Sequence, residues 1–141
     1  MAGGSGAGPG FDGCDAVQTD MTNSRLTDPE VLESRFPVLL QEFSIRRGSG
    51  GDGAHRGGDG VLRRLQFRAP LSGALLANHR HVAPFGMAGG ANASTGAARI
   101  LRSNGTSETL GATARSDVAA GDAIEVLTPG GGGYGAKKKS R

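Results

Sequence analysis

The stretch TPGGGGYG, residues 128 to 135, decides what kind of fold this chain has. Four consecutive glycines near the end of the chain fit three structures: a phosphate-binding loop, a disordered tail, or an ordered segment that closes a domain. A Walker loop requires a lysine directly after its second glycine, and Ala136 follows Gly135 here. Only six residues remain after Gly135, too few for the helix that would face the phosphate. We therefore reject the phosphate loop, and an ordered closure or a tail remains.

The composition predicts a single glycine-rich domain with many loops and few apolar residues. Of 141 residues, 26 are glycine and 6 are proline, while leucine, isoleucine, valine and phenylalanine together number 27. That apolar share lies near the roughly 20% below which chains tend to be disordered. The net charge of +3 is too small to favour outright disorder. We expect a folded piece that needs more protein around it.

The basic excess is confined to the end of the chain. All three lysines, Lys137 to Lys139, lie beside Arg141, and without these four residues the chain has 12 arginines against 13 acidic residues. The body of the chain is therefore not a polycation. We expect residues 136–141 to form a basic disordered tail, and we expect no nucleic-acid partner.

Cysteine content and hydropathy favour the cytosol. Cys14 alone permits no internal disulfide, and no apolar run approaches the roughly 18 residues of a membrane span. Residues 1–10 lack the basic and apolar regions of a signal peptide. We therefore predict a cytosolic protein without a membrane partner.

One short helix is predicted in the first third of the chain. Thr27 or Asp28 can cap its N-terminus, Pro29 fits the first turn, and Glu30 has capping-box spacing from Thr27. Pro37 disfavours helical backbone at the residue before it and so ends the helix. About two turns remain, which require tertiary packing for stability.

The rest of the chain predicts antiparallel β-structure. Strands are expected at 38–45, 61–67, 74–82 and 123–129, and Asn104-Gly105 is typical of a hairpin turn. No alternation of strand and helix indicates a parallel sheet. The expected fold class is mainly β, mixed α+β, with glycine-rich antiparallel strands and loops and one short capped helix.

No metal site is predicted. His79 and His81 would share one face of a strand, and three carboxylates lie near the start of the chain, but neither group has a third ligand at a diagnostic spacing. The three carboxylates are Asp12, Asp15 and Asp20. Asp20 is retained as the one candidate ligand.

Six motifs in a fixed order give the chain a family resemblance. They are GAGPGFDG (6–13), MTNSRLTDPEVLESRFPVLL (21–40), RRGSGGDGAHRGGDG (46–60), PFGMAGG (84–90), AGD (120–122) and TPGGGGYG (128–135). In this order they resemble the C-terminal end of the hydantoinase B/5-oxoprolinase family, and most closely its eukaryotic ATP-dependent branch. The resemblance spans about residues 3 to 135. We therefore interpret residues 1–135 as the C-terminal portion of such a domain, a terminal fragment of a larger one.

The resemblance implies a hydrolase that uses ATP to open 5-oxo-L-proline to L-glutamate. Phosphorylation of the lactam oxygen would make the carbonyl carbon electrophilic, so that water adds and the ring C–N bond breaks. ATP and Mg²⁺ are implied for the full-length enzyme, in a separate hydantoinase A-like half, and we expect no cofactor on this segment. The full-length form is expected to be a homodimer, and this segment is expected to be inactive without the missing A-like and upstream B regions.

Two alternatives to that function remain open. The chain is either a non-catalytic truncated remnant or interaction module, or part of a hydantoinase-type hydrolase of another cyclic amide. Gln18 and Asp20 bear on the first alternative, because they stand where the family usually reads His-x-His before MTNT. If those histidines bind metal or move protons, the activity is compromised here.

Polar residues kept from the family pattern are the candidate substrate-binding groups. Thr22, Asn23 and Arg25 lie just before the predicted helix, and Arg80 stands where relatives tend to read ERR. Such groups can hold a carboxylate or phosphate. For Asn23 and Arg25 an alternative stays open, in which they only pin the loop to the helix.

Structural roles are predicted for the other matched residues. Asp28 is expected to cap the helix, Asp59 to form a turn, and Tyr134 to anchor the glycine run through its ring and hydroxyl. Gly131 and Gly132 are expected to lie in an ordered closing loop. We expect some glycines of the run to have φ above zero and the run to approach other backbone closely.

Overall fold

The computed structural model describes residues 1–18 and 23–137. These residues form, in chain order, α1 (Pro29–Arg35), β1 (Val38–Arg46), β2 (Gly60–Phe67), β3 (Leu71–Leu76), β4 (Ala97–Leu101), β5 (Ser107–Thr109), β6 (Thr113–Val118) and β7 (Ala123–Leu127). The fold class is mainly β with one short helix, which confirms the prediction from the sequence.

The strands form two antiparallel sheets. The large sheet has the order β1-β2-β7-β4-β5, and β3 pairs with β6 in a second, two-stranded sheet. The strands predicted at 38–45, 61–67 and 123–129 are confirmed as β1, β2 and β7. The predicted hairpin turn joins β4 to β5, and Gly105 there has a φ of 86°. This left-handed conformation is the one for which glycine is best suited.

The strand predicted at 74–82 is wrong in its second half. β3 ends at Leu76, and His79 has a φ of 54°, which lies in the left-handed region and is incompatible with an extended strand. His79 and His81 therefore do not share a strand face. The strand β6 was not predicted, because its sequence TARSDV has little apolar character and most of it stays exposed or half-buried.

The helix α1 begins and ends as its capping signals predict. The carboxylate of Asp28 accepts a hydrogen bond from the amide of Glu30 at 2.9 Å, and Phe36 returns to extended backbone. The carboxylate of Glu33 accepts the amide of Leu40 at 2.8 Å, which ties the helix to β1. In the described part of the chain, no helix has the length and apolar character needed to cross a membrane.

The apolar core lies between the two sheets. Burial alternates along β4, so that Ala98 and Ile100 are buried while Arg99 is exposed. Residues of both sheets, among them Ile124 and Val118, line a gap of about 50 Å³ between them. The small sheet therefore covers one face of the large sheet.

The outer face of the large sheet carries a buried carboxylate. Glu125 is 1% exposed and receives hydrogen bonds from the guanidinium groups of Arg64 and Arg99. Burial alone would raise the pKa of Glu125, but these two arginines outweigh it and hold the pKa below its usual value. The negative charge of Glu125 is therefore balanced by the two neighbouring arginines.

The glycine run is the buried centre of a second region, which we call the glycine bundle. Its members are segments that lie almost entirely outside the helix and the named strands. The segments are residues 3–8, 49–53, 56–59, 85–91 and 130–135.

The run 130–135 is the central segment of the glycine bundle. The amide of Gly131 donates to the carbonyl of Gly58, and its carbonyl accepts from Gly51, both at 2.9 Å. The carbonyl of Gly132 accepts from Ala7, also at 2.9 Å. One segment is thus bonded to three others, whereas a strand in a flat sheet has two neighbours. The run is an ordered closure.

The expectation of positive φ within the run is wrong. Among the described residues Gly135 has a positive φ of 76°, and none of Gly130–Gly133 does. Glycine is needed at these positions because a Cβ would have no room. A Cβ on Gly131 would lie 2.6 Å from the amide nitrogen of Gly6 and nearer still to the carbonyl of Ser5. The structure does show the other expected feature, a close approach of the run to other backbone segments.

Asp122 should make the fold sensitive to acid. Its carboxylate accepts hydrogen bonds from the amides of Ala119 (3.0 Å) and Ser103 (2.9 Å) and from Arg102 (2.9 Å), which together lower its pKa to about 2. A lowered pKa stabilises the folded state fully above the unfolded value of about 3.9, and that stabilisation is lost as the pH falls through the folded value.

We expect Asp122→Asn to destabilise the chain at pH 7, with the difference from wild type shrinking below about pH 4 and vanishing near pH 2. Urea unfolding at a series of pH values measures this. The matched control is Asp117→Asn in the neighbouring strand, where the carboxylate is exposed. A difference that stayed constant down to pH 2 would contradict the assignment.

Candidate functional site

Three neighbouring recesses share lining residues, and we call them together the N-terminal groove. The middle recess, of about 600 Å³, shares Ala2, Val17 and Gln18 with a recess of about 350 Å³. On the other side it shares Gly3 and His79 with a recess of about 460 Å³. The groove brings together parts of the chain that are far apart in sequence.

The middle recess has a rigid wall. It is lined by the backbone of Gly130–Gly132, which the glycine bundle holds in place, and by Pro129. Gln18, which is half-buried, and the exposed Phe85 line it as well. The predicted closing glycines thus support the groove through their backbone.

Asn23 lies at one end of the groove. It lines the recess of about 350 Å³ together with Ser24, Phe43 and Val61. Arg25, predicted beside it as a substrate-binding residue, is exposed and does not line this recess. Two further candidates, Thr22 and the possible metal ligand Asp20, lie outside the described residues.

Arg80 lies at the opposite end of the groove, in the loop after β3. It lines the recess of about 460 Å³, whose lining also includes Leu75 and Leu76. Its Nη1 donates to the carbonyl of Leu127 at 3.5 Å, and its Nε is buried without a hydrogen-bond partner in the described part of the chain. The guanidinium is thus only weakly satisfied.

A second arginine stands behind Arg80. Arg46, the last residue of β1, donates from Nη1 to the carbonyls of Thr95 at 2.8 Å and Thr128 at 3.1 Å. Burial lowers the pKa of both arginines, and the charge of Arg46 lowers that of Arg80 further. This end of the groove therefore concentrates positive charge.

His79 is an exposed residue that lines the groove and that was considered from the sequence only as a metal ligand. Its Nδ1 lies 3.1 Å from the carbonyl oxygen of Val82. Since a carbonyl only accepts, Nδ1 carries the proton and Nε2 of the neutral ring is left with a free lone pair. His79 lines both the middle recess and the Arg80 recess, so this lone pair is a candidate proton acceptor.

Asp59 is a buried support of the glycine bundle and does not close a turn of its own. Its carboxylate accepts the amides of Gly48 at 3.2 Å and Gly50 at 2.7 Å, and it forms an ion pair with Arg56. Burial opposes ionisation, yet the Gly50 amide, Arg56 and the Gly48 amide hold the pKa of Asp59 below its usual value. Its own backbone amide donates to Asp15 at 2.7 Å.

Tyr134 anchors the glycine run through its backbone. Its amide and carbonyl exchange hydrogen bonds of 2.9 Å with His55, and it also forms a bridge with Met87. No hydrogen bond of its hydroxyl is found within residues 1–18 and 23–137, so the expected role of that group is not seen there.

The backbone amides of the glycine run are largely taken up by other segments of the chain. The amides of Gly130, Gly131 and Gly133 already donate to carbonyl oxygens of other segments, at 3.3, 2.9 and 3.0 Å respectively, and so are not free to bind phosphate. Within the described residues no group of three or more histidine, cysteine or acidic side chains is arranged to hold a metal.

Sequence reasoning missed His79, which lines the groove, and Arg46, which lies behind Arg80 without lining it. Arg46 is distant from Arg80 in the chain, and the pairing of β1 with β2 and of β2 with β7 brings Arg46 to the end of β7, where Arg80 also bonds. His79 was interpreted as a strand residue, and its position depends on the left-handed turn that ends β3. Neither the sheet pairing that positions Arg46 nor the turn that positions His79 can be predicted from residue spacing.

Comparison with known proteins identifies the family. The model of the Hydantoinase B/oxoprolinase family matches residues 1–137. The chain belongs to this family. It is 46% identical over 137 residues to a protein of Dictyostelium discoideum named 5-oxoprolinase, and 44% identical over 135 residues to 5-oxoprolinase 1 of Arabidopsis thaliana. These matches cover 97% and 96% of the chain but only 11% of each relative.

A solved structure supports the same fold. The chain superposes on the ATP-dependent caprolactamase from Pseudomonas jessenii with a TM-score of 0.79 and 24% identity, over 96% of this chain and 24% of that one. The family member thus has the fold of one part of a much longer protein.

Proposed function

We propose that this chain is the C-terminal part of a 5-oxoprolinase-type hydrolase, which uses ATP to open 5-oxo-L-proline to L-glutamate. Family membership and the names of the relatives from Dictyostelium discoideum and Arabidopsis thaliana support this function. Because the chain spans 11% of those relatives, it would act within a longer protein and be inactive alone. A homodimeric full-length form and a cytosolic location stay predictions.

The observation that carries the proposal is the N-terminal groove. Gln18, Asn23 and Arg80 were singled out by comparison with the family pattern, and they line the three neighbouring recesses, the middle one of which has the glycine run as a wall. We propose that the cyclic amide binds in this groove. Other regions of the longer protein would bind ATP and Mg²⁺.

The residues of this chain would bind and orient the substrate. The rigid backbone of Gly130–Gly132 would fix the position of the lactam ring, and the amide of Asn23 can exchange hydrogen bonds with a lactam. His79 offers a lone pair to a proton of the attacking water. ATP supplies the phosphoryl group that makes the lactam carbon electrophilic.

One alternative is favoured by a specific observation. Gln18 and Asp20 replace the two histidines of the family pattern, and Gln18 lines the middle recess. Glutamine does not titrate near neutrality, so it cannot replace a histidine that transfers protons. A non-catalytic remnant or interaction module would tolerate this exchange.

A chimera tests the proposed function against this alternative. Residues 1–137 replace the matching segment of the Dictyostelium discoideum relative, and ATP-dependent formation of glutamate from 5-oxo-L-proline is measured. We expect turnover in the chimera, and we expect Gln18→His with Asp20→His to raise kcat by about tenfold or more if proton transfer at these positions limits the rate.

The unmodified relative serves as the positive control, and circular dichroism confirms that each chimera folds. Glutamate formed only after the double substitution would support the remnant. A folded chimera that binds ATP but forms no glutamate in either version would overturn the proposed function.

A further inference from the structure

We propose that Arg80, backed by Arg46, binds the carboxylate of the substrate in the recess of about 460 Å³ at the end of the N-terminal groove. The inference rests on the proposed function, because it takes 5-oxo-L-proline as the ligand. It assigns the carboxylate, the one charged group of that molecule, to a defined place in the groove.

The two arginines differ from most others that are partly buried in this fold. Neither Arg46 nor Arg80 forms an ion pair with any carboxylate among residues 1–18 and 23–137, although both are half-buried. Of the other half-buried arginines, Arg56, Arg64 and Arg102 do form such pairs, while Arg63 does not. A half-buried positive charge without a counter-charge is unfavourable unless an anion joins it.

The two guanidinium groups converge on the end of β7. Arg80 reaches the carbonyl of Leu127, and Arg46 reaches the carbonyl of Thr128, the next residue. On the other side, a Cβ on Gly96 would lie 3.3 Å from Nη1 of Arg80, so glycine at this position leaves the guanidinium room. Arg46 uses its Nη1 for both carbonyls, whereas the only hydrogen bond of Arg80 among the described residues is the long one from its Nη1, so the donors of its Nη2 are left for a ligand.

The recess suits a small acid with an apolar body. Its walls include Leu75, Leu76, Val126 and Pro129, and no acidic side chain lines it in the described part of the chain. 5-Oxo-L-proline has one carboxylate, two ring methylene groups and a lactam amide. The carboxylate can accept hydrogen bonds from Arg80 while the methylene groups contact the leucines.

The ligand test compares 5-oxo-L-proline with 2-pyrrolidone, which has the same lactam ring without the carboxylate. Both are titrated into this chain without ATP, and the Nε–H resonance of Arg80 is followed by NMR. We expect a saturable shift with 5-oxo-L-proline and an affinity for 2-pyrrolidone that is lower by about tenfold or more, because a charge-assisted hydrogen bond is lost. Equal affinities for the two ligands would overturn the inference.

Variants separate a specific site from general attraction. Arg80→Gln should lower the affinity for 5-oxo-L-proline to that for 2-pyrrolidone, and Arg80→Lys should give an intermediate value because it keeps the charge but loses the planar fork. Arg68→Gln removes an exposed positive charge away from the recess and is the matched control. Equal loss of binding in Arg68→Gln would overturn the inference.

Thermal melting provides a readout that a purely structural role of Arg80 would not produce. We expect Arg80→Gln to melt at the wild-type temperature or above it, because it removes an unpaired charge, and we expect 5-oxo-L-proline to raise the Tm of wild type only. Arg80-dependent binding without turnover in the chimera overturns the proposed function alone. Turnover in the chimera with binding that does not depend on Arg80 overturns this inference alone.

Discussion

Gly131→Ala and Gly132→Ala are each expected to lower the free energy of unfolding by at least about 3 kcal/mol, the upper end of the usual cost of overpacking. A Cβ at Gly132 would collide with the carbonyl of Phe85, and one at Gly131 with the carbonyl of Ser5. Both obstacles are backbone atoms inside the glycine bundle, so no side chain can rotate away. The measurement is urea unfolding or, where the variant does not fold, the loss of the cooperative melt.

Gly6→Ala is the matched control, because it lies in the same glycine bundle. A Cβ at Gly6 meets only the carbonyl of Gly132, at 3.8 Å, which is an ordinary contact. This variant should be unchanged or up to about 1 kcal/mol more stable, since alanine restricts the unfolded chain. If Gly131→Ala and Gly132→Ala melted like Gly6→Ala, the run would not be a packed closure. A loss confined to an ATP-induced shift would instead indicate a nucleotide loop.

The helix and most strands could be predicted because their signals are local. The cap at Asp28 and the stop before Pro37 lie within α1 or next to it, and the apolar character of β1, β2 and β7 is visible in short windows. β6 escaped prediction because its apolar partners lie in β3 and the large sheet. Its burial depends on contacts that no short window contains.

The glycine run was predicted as an ordered closure, but for only part of the right reason. Its sequence indicates that side chains are not tolerated, and two causes give the same signal: a positive φ and a close neighbour. Four other segments of the chain decide between them, and these neighbours exclude a Cβ. A single sequence does not contain that information.

The sequence predicted some residues of the candidate site but not others. Family motifs selected Asn23 and Arg80, and the structure places both in the N-terminal groove. The family pattern also selected Arg25, which is exposed outside these recesses, whereas Arg46 was not named as a site residue although one matched motif begins with it. A residue that contacts a ligand can be recognised from a motif. The position of Arg46, which adds positive charge behind Arg80, depends on the register of the sheet and cannot be recognised in this way.

Asp59→Ala is expected to lower the free energy of unfolding by about 3–5 kcal/mol, because it leaves buried donors without an acceptor. The amides of Gly48 and Gly50 would lose their bonds, and Arg56 would lose its counter-charge. The glycine bundle would lose the anchor between two of its segments. Since the pKa of Asp59 is lowered, its contribution is present above the unfolded value of about 3.9 and lost as the pH falls through the folded value.

Asp52→Ala is the matched control for Asp59→Ala, because Asp52 lies in a neighbouring segment of the same bundle. Its carboxylate is exposed and pairs only with the exposed Lys137, at 3.2 Å, among the described residues. Such a surface pair contributes at most about 1 kcal/mol, so this variant should melt close to wild type. Asp59→Asn keeps one acceptor oxygen without the charge and should fall between the two alanine variants. If Asp59→Ala unfolded at the same urea concentration as Asp52→Ala, Asp59 would be only a loop residue, and the bundle would be held by its backbone alone.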